Sequence, residues 1–292
     1  MPPLLIVNPY ASRVSDECVA SVLAELPSGT EVVRTEEPQH AAALAGEHEP
    51  TADAIYVLSG DGTYNEVLNG VTGKVPIGFL PGGGTSVLPR ALGLGRDPVA
   101  AARLAARGAT RTIGLGRVNG RRFAFNAGIG FDAELVRRID LRGRAGDGRR
   151  PSDLAFARAA VGMIASRRGR FAPSLEIEDA GRAAFVLVAN CDPYTYVGPV
   201  AVHLAPEASF ELGLDLVAPV DVRARDLPRL LVDAVRGTRP RAGLLVLHDR
   251  DRIVVRCDRP MPLQVDGEDL GDVELATFEV ERDAVTALVP ST

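Results

Sequence analysis

Lysine is almost absent from the chain: of its 33 lysine and arginine residues, only Lys74 is a lysine. Apart from Lys74, no lysine accompanies the glycine-rich turns of the sequence, so a Walker-type phosphate loop with its lysine is excluded. The formal net charge of −5 also gives no reason to expect a nucleic-acid partner.

Cysteines and long apolar runs are scarce as well. The three cysteines, Cys18, Cys191 and Cys257, are scattered without the spacing of a metal site, which favours a reduced, cytoplasmic protein. No apolar run approaches the ~18–20 residues of a membrane span. The run Leu4–Val7 is too short for the apolar core of a signal peptide. We therefore expect a cytoplasmic protein, and any membrane contact must be peripheral.

Short apolar runs alternate with helical patterns in the first part of the chain, whose 292 residues predict about two domains. Asp97 and Pro98 have the positions of an N-cap and a first helical residue. The alternation predicts an open α/β domain with a parallel sheet. The predicted strands are residues 4–7, 31–35, 54–58 and 76–80, and the predicted helices include 16–26, 39–46 and 99–106.

Three of these strands end in loops of small residues, namely 8–12, 59–66 and 81–86. Open parallel sheets bind ligands at the carboxyl ends of their strands, and a helix that starts after a glycine turn suits phosphate. Asp61 is unusual there, because an acid repels phosphate unless it binds a cation, a hydroxyl or a water. The combination suggests a nucleotide with Mg²⁺, although Gly-Asp-Gly is also a common ordinary turn.

From about residue 112 the pattern changes to short alternating runs separated by turn residues, which is typical of an antiparallel sheet or sandwich. Helical patterns interrupt it at 152–166 and 224–235, and the last stretch, 278–289, could return to either domain. Residues 137–150 carry six arginines with several glycines and predict a mobile basic loop. This loop is either a solvated surface or a patch that meets anionic lipid, at ~1 kcal/mol per basic residue.

Taken together, the loops resemble those of the diacylglycerol kinase catalytic-domain family, which includes bacterial diacylglycerol kinases and sphingosine kinases. Residues 59–66, Ser-Gly-Asp-Gly-Thr-Tyr-Asn-Glu, are similar to the family's Gly-Gly-Asp-Gly-Thr-x-Asn-Glu. Residues 81–85 (Pro-Gly-Gly-Gly-Thr), 126–132 (Asn-Ala-Gly-Ile-Gly-Phe-Asp) and 265–268 (Val-Asp-Gly-Glu) also match, as does Asn8-Pro9. These motifs occur in the family's order and span nearly the whole chain.

The resemblance implies an ATP-binding α/β domain over residues 1–115, completed by about 278–292, and a β-sandwich domain over 116–277, with the active site in the cleft between them. It also implies transfer of the γ-phosphate of ATP to a lipid hydroxyl, with Mg²⁺, at a membrane surface. Diacylglycerol is the default acceptor, while a sphingoid-like base, another glycerolipid or a specialised alcohol stays open. A homodimer is one option for the assembly.

The resemblance further implies roles for individual residues. Glu268 matches the family's proposed general base, and Asp61 would act on the catalytic Mg²⁺, directly or through water. The implied nucleotide-binding residues are Asn8, Pro9, Tyr10, Ala11, Ser12, Thr35, Gly60, Asp61, Gly62, Thr63, Asn65, Glu66, Gly84 and Thr85.

One departure from the family lies at residues 208–214. Bacterial diacylglycerol kinases have two acids and a glycine there, and the second acid, which holds a structural Mg²⁺, is replaced by Leu212. Glu211, with backbone oxygens of Ser209 and Leu214, is the candidate substitute, but the absence of this second metal is favoured. Two alternatives stay open: a soluble-metabolite kinase related to NAD kinases, and a catalytically inactive, lipid-sensing regulatory protein, which the missing acid motivates.

Overall fold

The computed structural model describes residues 1–144, 159, 162, 163, 169–238 and 243–291. The chain divides into two compact units, Met1–Leu115 with Glu281–Thr292, and Gly116–Val280. The first unit is therefore assembled from two stretches that lie far apart in the sequence.

The first unit is built on a parallel sheet. Its strands are β1 (Leu4–Val7), β2 (Glu31–Arg34), β3 (Ile55–Ser59) and β4 (Ile77–Pro81). They lie in the order β2-β1-β3-β4, and Ala287, near the end of the chain, pairs in parallel with Ile77 of β4. Strands β1, β3 and β4 are buried throughout, which explains their unbroken apolar runs. The predicted parallel α/β fold is confirmed for this unit.

Helices connect and cover the strands of this sheet. They are α1 (Asp16–Leu23), α2 (His40–His48), α3 (Asp61–Gly70), α4 (Val87–Ala91) and α5 (Pro98–Ala105). The predicted start of α5 is confirmed, because the Asp97 side chain accepts hydrogen bonds from the N–H groups of Val99 and Ala100. Helix α2 packs so closely on α3 that a Cβ atom at Gly70 would lie 2.1 Å from the carbonyl oxygen of Ala42. Only glycine allows this approach.

The second unit is built on an antiparallel sheet, which confirms the second half of the predicted fold class. Its strands, with those that continue into the first unit, are β5 (Thr110–Val118), β6 (Arg121–Phe123), β7 (Asn126–Ile129), β8 (Arg170–Phe171), β9 (Leu175–Ile177), β10 (Gly181–Ala183), β11 (Val186–Ala189), β12 (Thr195–Val197), β13 (Val200–Val202), β14 (Leu214–Pro219), β15 (Val222–Arg223), β16 (Leu244–Arg250), β17 (Arg252–Val265) and β18 (Glu268–Leu288). Within this unit the main path runs β16-β14-β11-β7-β17-β18.

The long strand β17 changes partners along its length. Its residues 255–257 pair with β9, whereas 263–265 pair with β7. Its register with β18 shifts between Arg256 and Met261, and an irregularity of this kind bends a strand. Side chains from both halves, such as Val255 and Leu263, are buried in one apolar core.

The described residues of the second unit include the helices α6 (Phe131–Arg144) and α7 (Leu227–Arg236). The predicted helix over 224–235 is confirmed, since a short 3-10 turn at Ala224–Asp226 leads into α7. Most of the helix predicted over 152–166 lies outside the described residues. The stretch at 278–289, left undecided by the sequence, is mainly the end of β18.

The prediction of a mobile basic loop over 137–150 is wrong up to residue 144, because residues 137–144 belong to α6. Ala133 and Ile139 anchor this helix in the interior. Arg137 is fixed by Asp269 (Nε–Oδ2, 2.8 Å) and by Asp272 (Nη1–Oδ1, 2.6 Å) of β18. Residues 145–150 lie outside the described part of the chain. Among the described helices, none combines the length and the apolar character that crossing a membrane requires.

Candidate functional site

The loops that follow β1 and β3 are joined through Thr63. Its Oγ1 accepts hydrogen bonds from Asn8 Nδ2 at 3.0 Å and from Ser59 Oγ at 2.8 Å. Asn8 Oδ1 in turn accepts from the N–H of Tyr10, which closes a tight turn over residues 8–12. Asn8 and Thr63 therefore hold the two loops together.

The two glycine-rich loops touch backbone to backbone. The Gly82 N–H donates to the Ser59 carbonyl oxygen at 2.6 Å, and a Cβ atom at Gly83 would lie 2.8 Å from the Cα of Gly60. The Arg13 N–H donates to the Gly82 carbonyl oxygen at 3.0 Å, which adds the first loop to the set. Side chains larger than hydrogen would force the loops apart, so glycine is needed for this close packing.

Exposed glycines mark the open side of this arrangement. A Cβ atom at Gly62 or at Gly84 would meet nothing within 4 Å. Gly62 lies in the first turn of α3, whose N-cap, Gly60, has no side chain to accept from the free N–H groups. Free N–H groups and the helix dipole make such a helix start suitable for an anion, with room for the ligand backbone to approach.

Asp61 has a contact that its motif did not predict. Its Oδ2 accepts from the Val87 N–H at 3.1 Å, and its Oδ1 accepts from the Leu88 N–H at 3.2 Å. The side chain is 7% exposed. Asp61 therefore fixes the start of α4 to the start of α3 and positions the second glycine-rich loop. The two oxygens of the carboxylate each accept one backbone N–H, so Asp61 has a structural role in addition to the role on Mg²⁺ that its motif predicts.

Other motif residues are also turned to structural contacts. Glu66 Oε2 accepts from the Ala41 N–H at 3.3 Å, at the start of α2. Asn65 is buried, and its main-chain carbonyl oxygen accepts from Asn69 Nδ2 at 2.8 Å. Neither contact by itself indicates phosphate binding.

The remaining predicted nucleotide residues lie around the three loops. Thr35 is buried just after β2, and its N–H donates to the Val7 carbonyl oxygen at 2.9 Å. Thr85, at the tip of the second glycine-rich loop, is half-buried. The turn over residues 8–12 holds the exposed Tyr10 and Ser12 and the less exposed Pro9 and Ala11.

Two arginines that the sequence reasoning missed lie beside the second glycine-rich loop. Arg13 Nη1 donates to the Arg96 carbonyl oxygen at 2.8 Å, and Arg96 Nη2 lies 3.5 Å from the Gly84 carbonyl oxygen. Together with Asp97 they line an open pocket. Arg13 directly follows the first loop in sequence, which is a signal that could have identified it; Arg96 is brought in only by the fold.

The proposed base, Glu268, belongs to the second unit and follows the turn between β17 and β18. Asp266 (φ +48°) and Gly267 (φ +80°) make this two-residue hairpin turn. The Asp266 carboxylate accepts from the N–H groups of Ala124 (2.7 Å), Phe125 (3.0 Å) and Asn126 (3.2 Å). These hydrogen bonds fix the turn to the backbone of residues 124–126.

The Glu268 side chain is 38% exposed, and its Oε2 lies 3.4 Å from Nη2 of Arg121. A half-exposed carboxylate on a rigid turn can accept a proton from a ligand that reaches it.

A buried polar network also stabilises the turn at Asp266 and Gly267. Gln264 Nε2 donates to Asp132 Oδ2 at 2.7 Å, and Gln264 Oε1 accepts from the Gly267 N–H at 2.8 Å. Tyr194 also donates its hydroxyl to Asp132 Oδ2, at 2.8 Å. Burial raises the pKa of the Asp132 carboxyl above its usual value, while the hydrogen bonds from Tyr194 and Gln264 act in the opposite direction. Sequence spacing could not have shown this network, because its members are up to 132 positions apart.

The residues considered for a second Mg²⁺ do not form a carboxylate cage. Ser209 Oγ is hydrogen-bonded to Glu211, and Leu214 is buried at the start of β14. The adjacent acid, Asp215, accepts from the Asp249 N–H at 3.0 Å and pairs with Nδ1 of His248 at 2.9 Å. Within the described residues, no group of three or more histidine, cysteine or acidic side chains is arranged to hold a metal.

Comparison with known proteins agrees with this arrangement. Residues 2–118 match the model of the diacylglycerol kinase catalytic domain. A diacylglycerol kinase of Bacillus subtilis is 28% identical over 279 residues, which cover 90% of this chain and 88% of that protein.

Solved structures share the fold. A diacylglycerol kinase of Bacillus anthracis has a TM-score of 0.72 at 18% identity, over 99% of this chain and 96% of that one. An NAD kinase of Archaeoglobus fulgidus in complex with ATP has a TM-score of 0.52 at 13% identity, over 99% of this chain and 94% of that one. The match over residues 2–118 and the similarity to the Bacillus subtilis diacylglycerol kinase confirm the resemblance of the motifs to the diacylglycerol kinase catalytic-domain family.

Proposed function

We propose that this protein is a lipid kinase that transfers the γ-phosphate of ATP to a lipid hydroxyl, with diacylglycerol as the first candidate acceptor. The observation that carries the proposal is the packing of three loops at the ends of β1, β3 and β4, within a diacylglycerol kinase catalytic domain. In this proposal the start of α3 and the loop with Gly84 bind the nucleotide phosphates.

Arg13 and Arg96 lie beside that loop, and in this proposal they neutralise phosphate charge in the absence of a loop lysine. Phosphoryl transfer depends mainly on positioning and on such neutralisation. Both guanidinium groups are exposed and can turn toward a bound anion. Mg²⁺ supplies further charge neutralisation in kinases of this type. The described side chains offer no carboxylate cage for it, so no residue is assigned as its direct ligand.

In the proposed reaction, the lipid hydroxyl oxygen forms a bond to the γ-phosphorus, and the bond from that phosphorus to the bridging oxygen of ADP breaks. The hydroxyl proton goes to the Glu268 carboxylate. The hydrogen bonds of Asp266 and Gln264 support this assignment, because they hold the turn that carries Glu268 in one position. We place the reaction at the inner face of the cytoplasmic membrane, where diacylglycerol resides.

The test is an assay with labelled ATP over a panel of acceptors: detergent-dispersed diacylglycerol, a sphingoid base, a monoacylglycerol and NAD. We expect labelled phosphate on diacylglycerol, and strongly reduced transfer with Glu268→Gln as the control variant. Label on NAD alone would refute the lipid assignment and favour a soluble-metabolite kinase. NAD is in the panel because an NAD kinase shares the fold. Nucleotide binding without transfer to any acceptor would favour an inactive regulatory protein.

A further inference from the structure

Exposed apolar side chains are concentrated on two neighbouring elements of the second unit. Among the described residues, eleven large apolar side chains are exposed, and five of them lie on α7 and on the β12–β13 hairpin. The elements are in contact, because the His203 N–H, just after β13, donates to the Ala234 carbonyl oxygen at 2.7 Å. The five side chains, called the apolar surface below, are Val197, Val200, Leu231, Val232 and Val235.

Helix α7 uses only part of its apolar stripe for packing. Ala234 is buried and Leu230 packs against a small core, whereas Leu231, Val232 and Val235 are 59%, 46% and 42% exposed. At 3.6 residues per turn, the exposed three form a continuous sector next to the buried one. A helix that exposes such a sector is typical of a surface with a partner.

Arginines border this sector. Helical geometry places Arg229 and Arg236 next to Val232, on the side away from the core. Four arginines and two aspartates lie between residues 223 and 236, in a chain whose net charge is negative. The Arg229 side chain is 70% exposed and its Nε lies 3.9 Å from Asp233, a distance that leaves the guanidinium able to reach another anion. The border of the apolar surface is therefore positive.

The positive border distinguishes between two partners that could cover the apolar surface. A second copy of the chain would bring an equally positive border against the first, which is unfavourable. An anionic bilayer offers the complementary arrangement, with acyl chains for the valines and leucine and phosphate groups for the arginines.

We propose that α7 and the β12–β13 hairpin dock this protein on an anionic phospholipid bilayer. The apolar surface enters the boundary between headgroups and acyl chains, and Arg229 and Arg236 contact headgroup phosphates. The proposal rests on the proposed lipid-kinase function, because the acceptor hydroxyl then lies in the bilayer. It moves the membrane contact from the arginine-rich stretch 137–150 to a different element of the chain.

The test measures sedimentation of the full chain with vesicles of phosphatidylcholine, with and without phosphatidylglycerol, in the absence of ATP and diacylglycerol. We expect Leu231→Glu to lower the partition coefficient by about tenfold or more, because it removes a leucine from the apolar boundary. Arg229→Gln should lower binding about fivefold, and only to vesicles that contain phosphatidylglycerol. The matched control is Val246→Glu, which places the same charge at a 55% exposed residue of β16 and should leave binding unchanged.

The proposal is overturned if Leu231→Glu, shown to be folded by circular dichroism, binds vesicles as the wild type does. It is also overturned if the wild type is a dimer that Leu231→Glu dissociates without a change in vesicle binding. The proposed function is judged separately. If vesicle binding depends on Leu231 but the protein phosphorylates no lipid, the docking surface is supported and the lipid-kinase function is refuted. If the protein phosphorylates lipid but Leu231→Glu leaves vesicle binding unaltered, the function is supported and the docking surface is refuted.

Discussion

Substitution of Asp61 distinguishes its structural contact from a role in phosphoryl transfer. The carboxylate is buried and accepts from the N–H groups of Val87 and Leu88, at 3.1 and 3.2 Å. Hydrogen bonds to a charged group contribute about 1.5–3 kcal/mol each, and they are not fully additive. We expect Asp61→Ala to lower the free energy of unfolding by about 2–5 kcal/mol, and Asp61→Asn, which keeps one acceptor oxygen, by about half as much.

Turnover should respond differently. If the negative charge of Asp61 also supports the reaction, both variants lose at least ~10²-fold in turnover. If Asp61 acts only by holding the second loop, Asp61→Asn keeps much more activity than Asp61→Ala. Urea unfolding followed by circular dichroism gives the stabilities, and lipid phosphorylation is measured at a temperature where every variant is folded.

The matched control is Glu49→Gln, which also removes a buried carboxylate that accepts backbone N–H groups, at Thr72 (2.7 Å) and Lys74 (2.9 Å). It lies outside the candidate site, so it should lower stability and leave turnover of the folded protein unchanged. An Asp61→Ala variant as stable as the wild type would refute the reasoning about the hydrogen bonds.

Two further predictions concern single carboxylates. Glu268→Gln should lower turnover by about 10²–10⁴-fold while nucleotide affinity, measured by calorimetry, stays unchanged; an unaltered rate would assign the base elsewhere. Burial alone would raise the pKa of Glu49, but the hydrogen bonds from Thr72 and Lys74 hold it below its usual value of 4.5. Its contribution to stability is therefore present above that value and is lost as the pH falls through the lowered pKa. The difference in Tm between the wild type and Glu49→Gln should be largest near neutral pH and shrink in acid; a difference that does not change with pH would contradict this.

The elements of the first unit could be predicted because their signals are local. A strand buried on both faces, such as β3, must be apolar along its whole length, and the cap of α5 by Asp97 depends on residues two and three positions away. Helix α6 was missed because its buried residues, such as Ala133 and Ile139, are few and lie among arginines. Arginine has a good helix propensity, so a run of arginines does not by itself indicate a loop.

The roles within the candidate site could be predicted only in part. The motifs include Asn8 and Thr63, and in the structure these two side chains hold the loops together. The same motifs do not show where a side chain points. Asp61 contacts residues 26 and 27 positions away, and Glu66 contacts one 25 positions away, toward the chain start. Contacts at such separations depend on the packing of helices, which no local pattern records.

Strand β18 has a consequence for experiments that use parts of the chain. It starts at Glu268 and ends at Leu288, and near its end Ala287 pairs with Ile77 of β4 in the first unit. A fragment that stops after residue 118, where the match to the catalytic domain ends, would lack this partner. Its β4 would then present an unpaired strand edge, which promotes aggregation. Tail-deleted genes should therefore yield insoluble product, and adding a separate peptide that covers 281–291 is a direct way to seek complementation.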